Sequence, residues 1–366
     1  MKKVGVLVPQ SKSYPGIGRD FINGLKLQAS EEVGYFVEGI GIGDDVRVTC
    51  DKIDKLVLQE DVDVIIALIG DKGLITAYEK VNELQIPTLF ARMGAFPDLN
   101  MEGNKYAFTL SYGLCDSLGF LGDWFPKNGY NHIGVSGSFN DVGYGFLAAL
   151  ENSLYKAGGE FSGHYTPPLN PRPDEAQFLA EFYQNVKSDA VCQLYNGVFA
   201  EENIQYLESI EGGVKTPLFF SPFGLNEDLF PKIGALSDDV YMFASWLPVS
   251  MTGEPTDFEN AYYEKFDVYP SVAAMLGFNA MQEAFTLISK RKQLLAGETL
   301  EQSESNVMVG KWGADLRFKT TFKIWKMSKS QDKIKMIELA SSDEAKEYND
   351  PFEGQEKGWH NAYLCY

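Results

Sequence analysis

The 366-residue chain has no long apolar run. Its longest, VIIALI at 64–69, falls far short of the roughly 20 residues a helix needs to span a bilayer, so a transmembrane helix is excluded. Cysteine is scarce. Cys50, Cys115, Cys192 and Cys365 stand far apart and form no C-x-x-C pair, which implies neither a thiolate metal site nor a disulfide framework. Positive charge is in deficit: 32 Lys and Arg stand against 51 Asp and Glu, a formal charge of −19, with no basic cluster to offset it. Such a chain repels a polyphosphate backbone, so nucleic acid is not an expected partner. The three histidines, His132, His164 and His360, lie in separate segments, with no H-E-x-x-H and no G-x-S-x-G. Nothing reads as a nucleoside-triphosphate loop. GIGIGDD at 39–45 has the spacing G-x-G-x-G after a second strand, a turn rather than a dinucleotide fingerprint. No metal, no cofactor and no catalytic set is indicated, which leaves non-covalent binding. At the N-terminus, MKKVGVLVPQ lacks the core and cleavage site of a signal peptide. Either the protein is cytoplasmic, or a signal sequence has been removed.

What the chain does contain is alternation. VGVLVPQ is a short apolar run with no helical period and reads as a buried strand. Ile17, Phe21 and Leu25 follow at the spacing of one helix face. Strands then recur at 31–45, 61–70, 87–91 and 105–113, with helices around Ile53 and Val57 and around Leu74, Tyr78 and Val81. The rhythm restarts at HIGVSGS and runs through helices at 145–159, 175–188 and 201–213 and strands at 189–197, 216–224 and 238–248. Two aromatic-faced helices follow, the first with Phe258, Tyr262 and Phe266, the second with Met275, Phe278, Phe285 and Ile288. LRFKTTFKIWKMSK with DKIKMIEL reads as a β-hairpin before a ragged tail. This is the pattern of an α/β protein with mostly parallel sheets covered by helices on both faces, and two restarts imply two such domains. Ligands of doubly wound sheets bind beyond the carboxyl ends of the strands. Tyr14, Phe96, Tyr144, Tyr195, Phe223 and Trp246 all fall at such ends, and aromatic walls with a few polar anchors suit a small molecule.

Four stretches together resemble the type I periplasmic solute-binding proteins of ABC transporters, in the Leu/Ile/Val-binding branch: VGVLVPQSKSYPGIGRDFINGLKLQ, VDVIIALIGDKGLITAYEKVNELQIPTLFA, NHIGVSGSFNDVGYGFLAALENSLYKAGGEF and VYPSVAAMLGFNAMQEAF. The resemblance runs to about residue 330. It implies two Rossmann-like lobes joined by a three-crossing hinge, with crossings near 110–113, 246–250 and 312–318. Lobe 1 would hold 1–112 and 248–315, and lobe 2 would hold 113–247 and 316–366. The family's ligand binds between lobes that close by hinge rotation. Carried over position by position, its binding residues fall on Ser11, Ser13 and Tyr14, on the loop of Gly70, Asp71, Lys72 and Gly73, on Ala91, Arg92 and Met93, and on Tyr144, Tyr195, Phe223, Trp246 and Phe278. Several departures bear on the ligand. The serine and threonine hydroxyls that meet an amino acid's carboxylate are missing from the loops at 70–73 and 91–93. No carboxylate near 221–223 would meet its ammonium, and Phe278 with Asn279 stands where Tyr-Asp is usual. Lys72 and Arg92 would instead pair a carboxylate, Arg in bidentate fashion. The expected ligand is a small molecule, an amino acid or an organic acid, with the departures favouring a carboxylate with an apolar or aromatic body. The expected partner is an ABC permease, without a membrane span in this chain. The alternative on the same fold is a cytoplasmic small-molecule sensor.

Overall fold

The computed structural model describes residues 2–342 except 13, 29–32, 96–100, 139–141, 143, 169, 227, 238, 299, 302–306 and 331–332. Ser13, Phe96, Cys365, His360 and the C-terminal tail, all named above, lie outside the described residues. The chain divides into two compact units, which it enters and leaves after Gly113, Glu254 and Thr321.

Unit 1, Met1–Gly113 with Pro255–Thr321, alternates strand and helix from its start. β1 (Lys2–Val8), α1 (Ile17–Gln28), β2 (Val33–Gly39), α2 (Val46–Leu58), β3 (Val64–Leu68), α3 (Leu74–Glu83), β4 (Thr88–Arg92) and β5 (Ala107–Ser111) form in order. Every residue of β3, β4 and β5 is buried, as strands covered on both faces require, which is why they read as unbroken apolar runs. α2 starts on Asp45, whose side chain accepts from the Arg47 N–H at 2.9 Å and satisfies one of the donors a helix start leaves open. Leu56, Ile53, Leu74, Tyr78 and Val81 of α2 and α3 fill a core with Leu7, Ile65 and Phe90.

Unit 2 holds Leu114–Glu254 and the described residues from Phe322 to Ser342. It opens with α4 (Leu114–Lys127), a helix that sequence periodicity does not reveal. Nine of its 14 residues are buried, Gly119 and Gly122 among them, and Pro126 lies within its last turn, so its polar face narrows to Asp116, Asp123 and Lys127. β6 (His132–Gly137), α5 (Tyr144–Lys156), β7 (Glu160–Tyr165), α6 (Glu175–Asn185), β8 (Ala190–Leu194), α7 (Gly197–Ser209), β9 (Leu218–Phe220), α8 (Phe230–Leu236), β10 (Val240–Ala244) and α9 (Val249–Thr252) follow. The chain then returns to unit 1 for α10 (Asp257–Phe266), α11 (Val272–Leu295), β11 (Leu300–Glu301), β12 (Gly310–Trp312) and β13 (Arg317–Thr320). It ends in unit 2 with β14 (Lys323–Ser330) and β15 (Lys333–Ser341).

The expected single C-terminal hairpin is therefore two structures. β13 pairs parallel to β5 and antiparallel to β12, so it belongs to the first sheet, while β14 and β15 alone form the hairpin and join β10. The same pairing holds 310–320 in unit 1, and α9 packs on β15 and stays in unit 2. The second and third crossings thus fall a few residues after the segments expected for them. Among the described residues the first sheet has eight strands in the order β11-β12-β13-β5-β4-β3-β1-β2, and the second has seven in the order β15-β14-β10-β9-β8-β6-β7. The five core strands of each sheet run parallel, as the alternation requires.

Candidate functional site

In unit 1 the polar residues expected at a ligand gather past the carboxyl ends of β1, β3, β4 and β5. The loop after β1 is built by Ser11, a buried residue whose hydroxyl accepts from the Tyr14 N–H at 3.1 Å. This turn precedes α1 and leaves Tyr14 half-buried. After β3, Gly70 is buried and Lys72 exposed. Gly73 adopts φ 72° as the residue before α3, and a Cβ there would lie 2.6 Å from that of Val46, so only glycine fits this turn. The Asp71 carbonyl accepts from the Leu74 N–H at 3.3 Å.

β4 ends in Ala91 and Arg92, and both are buried, as is Met93. The Arg92 side chain is 1% exposed and forms an ion pair with Asp71, itself 7% exposed. The sheet explains the meeting. β3 and β4 run parallel with Leu68 opposite Ala91, so the residues just beyond these positions emerge side by side. Sequence reasoning selected Arg92 and Lys72 as a cationic pair for a carboxylate, and the structure gives Arg92 an internal carboxylate instead. An arginine at one parallel strand end and an aspartate in the loop after its neighbour were the available signal. At the end of β5, Ser111 is buried and accepts from the Gly113 N–H at 3.0 Å. Phe278 lies on α11, where its ring packs against Phe258 of α10 at 4.5 Å between centroids, in the helical layer.

Unit 2 presents a different chemistry past its strand ends. Tyr144 is the first residue of α5, in the segment after β6. Tyr195, just beyond β8, is 3% exposed, and its hydroxyl shares a 2.6 Å hydrogen bond with Ser136 of β6. Ser136 and Gln193 face each other across the β6–β8 ladder. The Gln193 amide donates to the Tyr183 hydroxyl at 2.8 Å and accepts from the Asn203 amide at 3.1 Å. Burial pushes the Tyr183 hydroxyl far up, so it stays protonated. Phe223 and Trp246 are buried beyond β9 and β10. Ser221, in the loop where a ligand-binding acid is absent, accepts from the Gly224 N–H at 3.2 Å and so closes its own turn.

The charged groups of unit 2 sit off to the side, after the edge strand β7. Glu175 opens α6 with its side chain fully buried. Arg172 reaches it through Nε at 2.9 Å and a terminal nitrogen at 2.8 Å, and Tyr165 donates to the same carboxylate. Hydrogen bonds from Arg172 hold the Glu175 carboxyl down at about 2 against the cost of burial. Burial, with Glu175 second, pushes the Tyr165 hydroxyl up. The Arg172 guanidinium stacks over the Phe178 ring at 3.6 Å. Ser136, Gln193 and Glu175 are thus prominent polar groups that sequence reasoning missed, while Asp71 was placed in its loop without its partner Arg92.

The sequence matches the family described as "Periplasmic binding protein" over residues 2–303. The chain belongs to the periplasmic binding protein family. A search of curated protein sequences found no significant match. Among solved structures, this periplasmic binding protein is similar to an ABC transporter substrate-binding protein from Sphaerobacter thermophilus, at 16% identity and a TM-score of 0.75, covering 94% of this chain and 99% of that one. It also resembles a solute-binding protein of an ABC transporter from Rhodopseudomonas palustris BisB5, solved with 3,4-dihydroxybenzoic acid, at 18% identity and a TM-score of 0.70, over 94% and 98% of the two chains. A leucine-binding protein from Thermotoga maritima MSB8 follows at 14% identity and a TM-score of 0.66, over 93% and 98%. At these identities the likeness establishes the fold, and the type I two-lobe α/β architecture expected from the sequence is borne out. No helix among the described residues of this periplasmic binding protein is long and apolar enough to cross a membrane.

Proposed function

We propose that this periplasmic binding protein is the solute-binding component of an ABC importer, working outside the cytoplasmic membrane, and that its solute is a small organic carboxylate with an apolar or aromatic body. Family membership carries the first half of this reading. Arg92 carries the second: it is a buried arginine at the end of a central parallel strand, where ligands of such sheets bind. Its planar fork of five N–H donors suits a solute carboxylate that joins Asp71 on the same guanidinium. Tyr14 in unit 1 and Tyr144, Tyr195, Phe223 and Trp246 in unit 2 supply aromatic surface, with Ser11, Ser13, Gly70, Lys72, Ala91, Met93 and Phe278 as the remaining positions assigned to the solute. Solved relatives with benzoate and hydroxybenzoates support an aromatic acid as solute. The chain then binds and hands over its solute without turning it over, and its permease meets it only transiently. Nothing in the comparisons favours the cytoplasmic sensor.

Isothermal titration with benzoate, 4-hydroxybenzoate, leucine and valine tests the reading. Micromolar binding of an aromatic acid, weakened at least tenfold in Arg92→Met, is the expected result. Micromolar binding of leucine or valine with no response to the acids would overturn the solute class.

A further inference from the structure

The hairpin of β14 and β15 reverses the charge of the protein. Residues 323–341 carry five lysines against Asp332 and Glu338, in a chain whose formal charge is −19. The five lysines fall within 323–335, and strand pairing brings those of the two strands side by side. The register sets Ile337 opposite Lys326, Lys335 opposite Ser328 and Lys333 opposite Ser330, so these residues share one face of the ribbon. Met327 and Met336, also paired, are buried on the other face. Lys333 and Lys335 are exposed. Ile337 and Leu339, the latter at a register shift where it has no partner on β14, are 47% and 50% exposed. β15 is also the last strand of its sheet.

We propose that this face docks on anionic phospholipid headgroups at a membrane surface. Three features favour lipid over other partners. Alternate residues of a strand are only about 7 Å apart, so Lys333 and Lys335 act on a charged surface together; Lys326, across the ribbon, is already paired with Asp239 at 3.3 Å. The rest of the chain is acidic, but at about 0.1 M salt charges more than roughly 10 Å away are screened, so the membrane reads the local excess rather than the total. Finally, two exposed aliphatic side chains stand beside the lysines, the pairing that lets a surface insert slightly between headgroups as well as attract them. Lysines on an edge strand also discourage pairing with another chain; that role alone predicts no attraction to lipid. The proposal is independent of which solute the protein binds.

Flotation of the full-length protein with vesicles tests it. Vesicles of phosphatidylcholine with 30% phosphatidylglycerol should carry the protein at about 20 mM salt and release it at about 0.5 M, while pure phosphatidylcholine should not bind. Lys333→Glu with Lys335→Glu should weaken binding at least tenfold, since each lysine near an anionic surface contributes about fivefold and reversal doubles the change. Ile337→Ser with Leu339→Ser should weaken it about threefold and leave the salt dependence in place. Unchanged far-ultraviolet circular dichroism and melting of these surface variants would confirm that they fold. Failure of the wild type to bind anionic vesicles at low salt, or equal binding by the doubly reversed variant, would overturn the proposal. So would capture by soluble polyglutamate with no vesicle binding, which would assign the face to an acidic protein.

Discussion

Units 1 and 2 are built on one plan and finished with different chemistry. The core strands of the first sheet run β2-β1-β3-β4-β5 and those of the second β7-β6-β8-β9-β10, the same order counted from each restart. Each plan also includes a close helix pair made possible by glycine. Where α1 crosses α11, a Cβ on Gly24 would lie 2.0 Å from the Ala274 carbonyl oxygen, and one on Gly277 2.2 Å from that of Phe21. Where α4 crosses α5, a Cβ on Gly122 would lie 2.5 Å from the Leu150 carbonyl oxygen. The strand ends differ. Unit 1 buries an ion pair there, Arg92 with Asp71, whereas unit 2 buries neutral hydroxyls and amides and moves its own pair, Arg172 with Glu175, to the sheet edge. The shared plan serves stability, and the different endings are where solute chemistry can be written.

The largest effect should come from splitting the buried pair of unit 1. Asp71→Asn or Arg92→Met alone leaves a charge in the core and should cost about 3–5 kcal/mol, read from urea unfolding. The double variant Asp71→Leu with Arg92→Met should recover most of that loss while leaving solute binding abolished. Recovery of both would show that the pair serves the fold alone. Next come the helix crossings: Gly24→Ala and Gly277→Ala meet a backbone oxygen and should each cost about 1–3 kcal/mol. Gly122→Ala, with more room, should fall at the low end of that range. A larger loss at Gly122 would mean that α4–α5 is the less yielding crossing.

The edge pair of unit 2 should show itself through pH. The Glu175 carboxyl is held at about 2 in the folded protein, below its ordinary value of 4.5. Its contribution is therefore complete above about pH 4.5 and declines as pH falls toward 2. Arg172 is partly exposed, and solvent screening trims the contribution to about 2 kcal/mol. Glu175→Gln should thus be less stable than the wild type at pH 6 and draw level near pH 2, in urea titrations across that range. A constant gap at all pH values would remove the ion pair from the account. The smallest effect belongs to the neutral ending: Ser136→Ala or Tyr195→Phe deletes one buried hydrogen bond, about 1 kcal/mol, with no pH dependence between 4 and 8.

The common plan was legible because the central strands of both sheets are buried on both faces and read as short apolar runs such as VIIAL, spaced regularly between helices. Several elements escaped. α4 shows only a narrow polar face, β7 is an edge strand with little buried surface, α8 and α9 are helices of seven and four residues, and β11 and β12 are only two and three residues long. The boundary at Thr321 escaped for another reason: RFKT and KIWKMSKS have the same alternation, and only pairing sends the first to β5 and the second to β10. The candidate site divides in the same way. Arg92 and Tyr195 could be selected from their places after strands. Asp71 could be placed in its loop but not as the partner of Arg92, and Ser136 not at all, because partnership depends on which strands are neighbours and in what register.

The crossing of α1 with α11 also has a consequence in time. About 240 residues separate the two helices along the chain, and at a synthesis rate of about 5–20 residues per second the second emerges roughly 12–50 s after the first. Helices form in microseconds, so for that whole interval α1 carries Phe21, Gly24 and Leu25 with no α11 to cover them. The matching helices of unit 2, α4 and α5, are near neighbours in the chain and meet almost as soon as they are made. Unit 2, begun later, can therefore bury its first helix pair before unit 1, and the nascent chain waits on its own C-terminal third to complete the unit it started with.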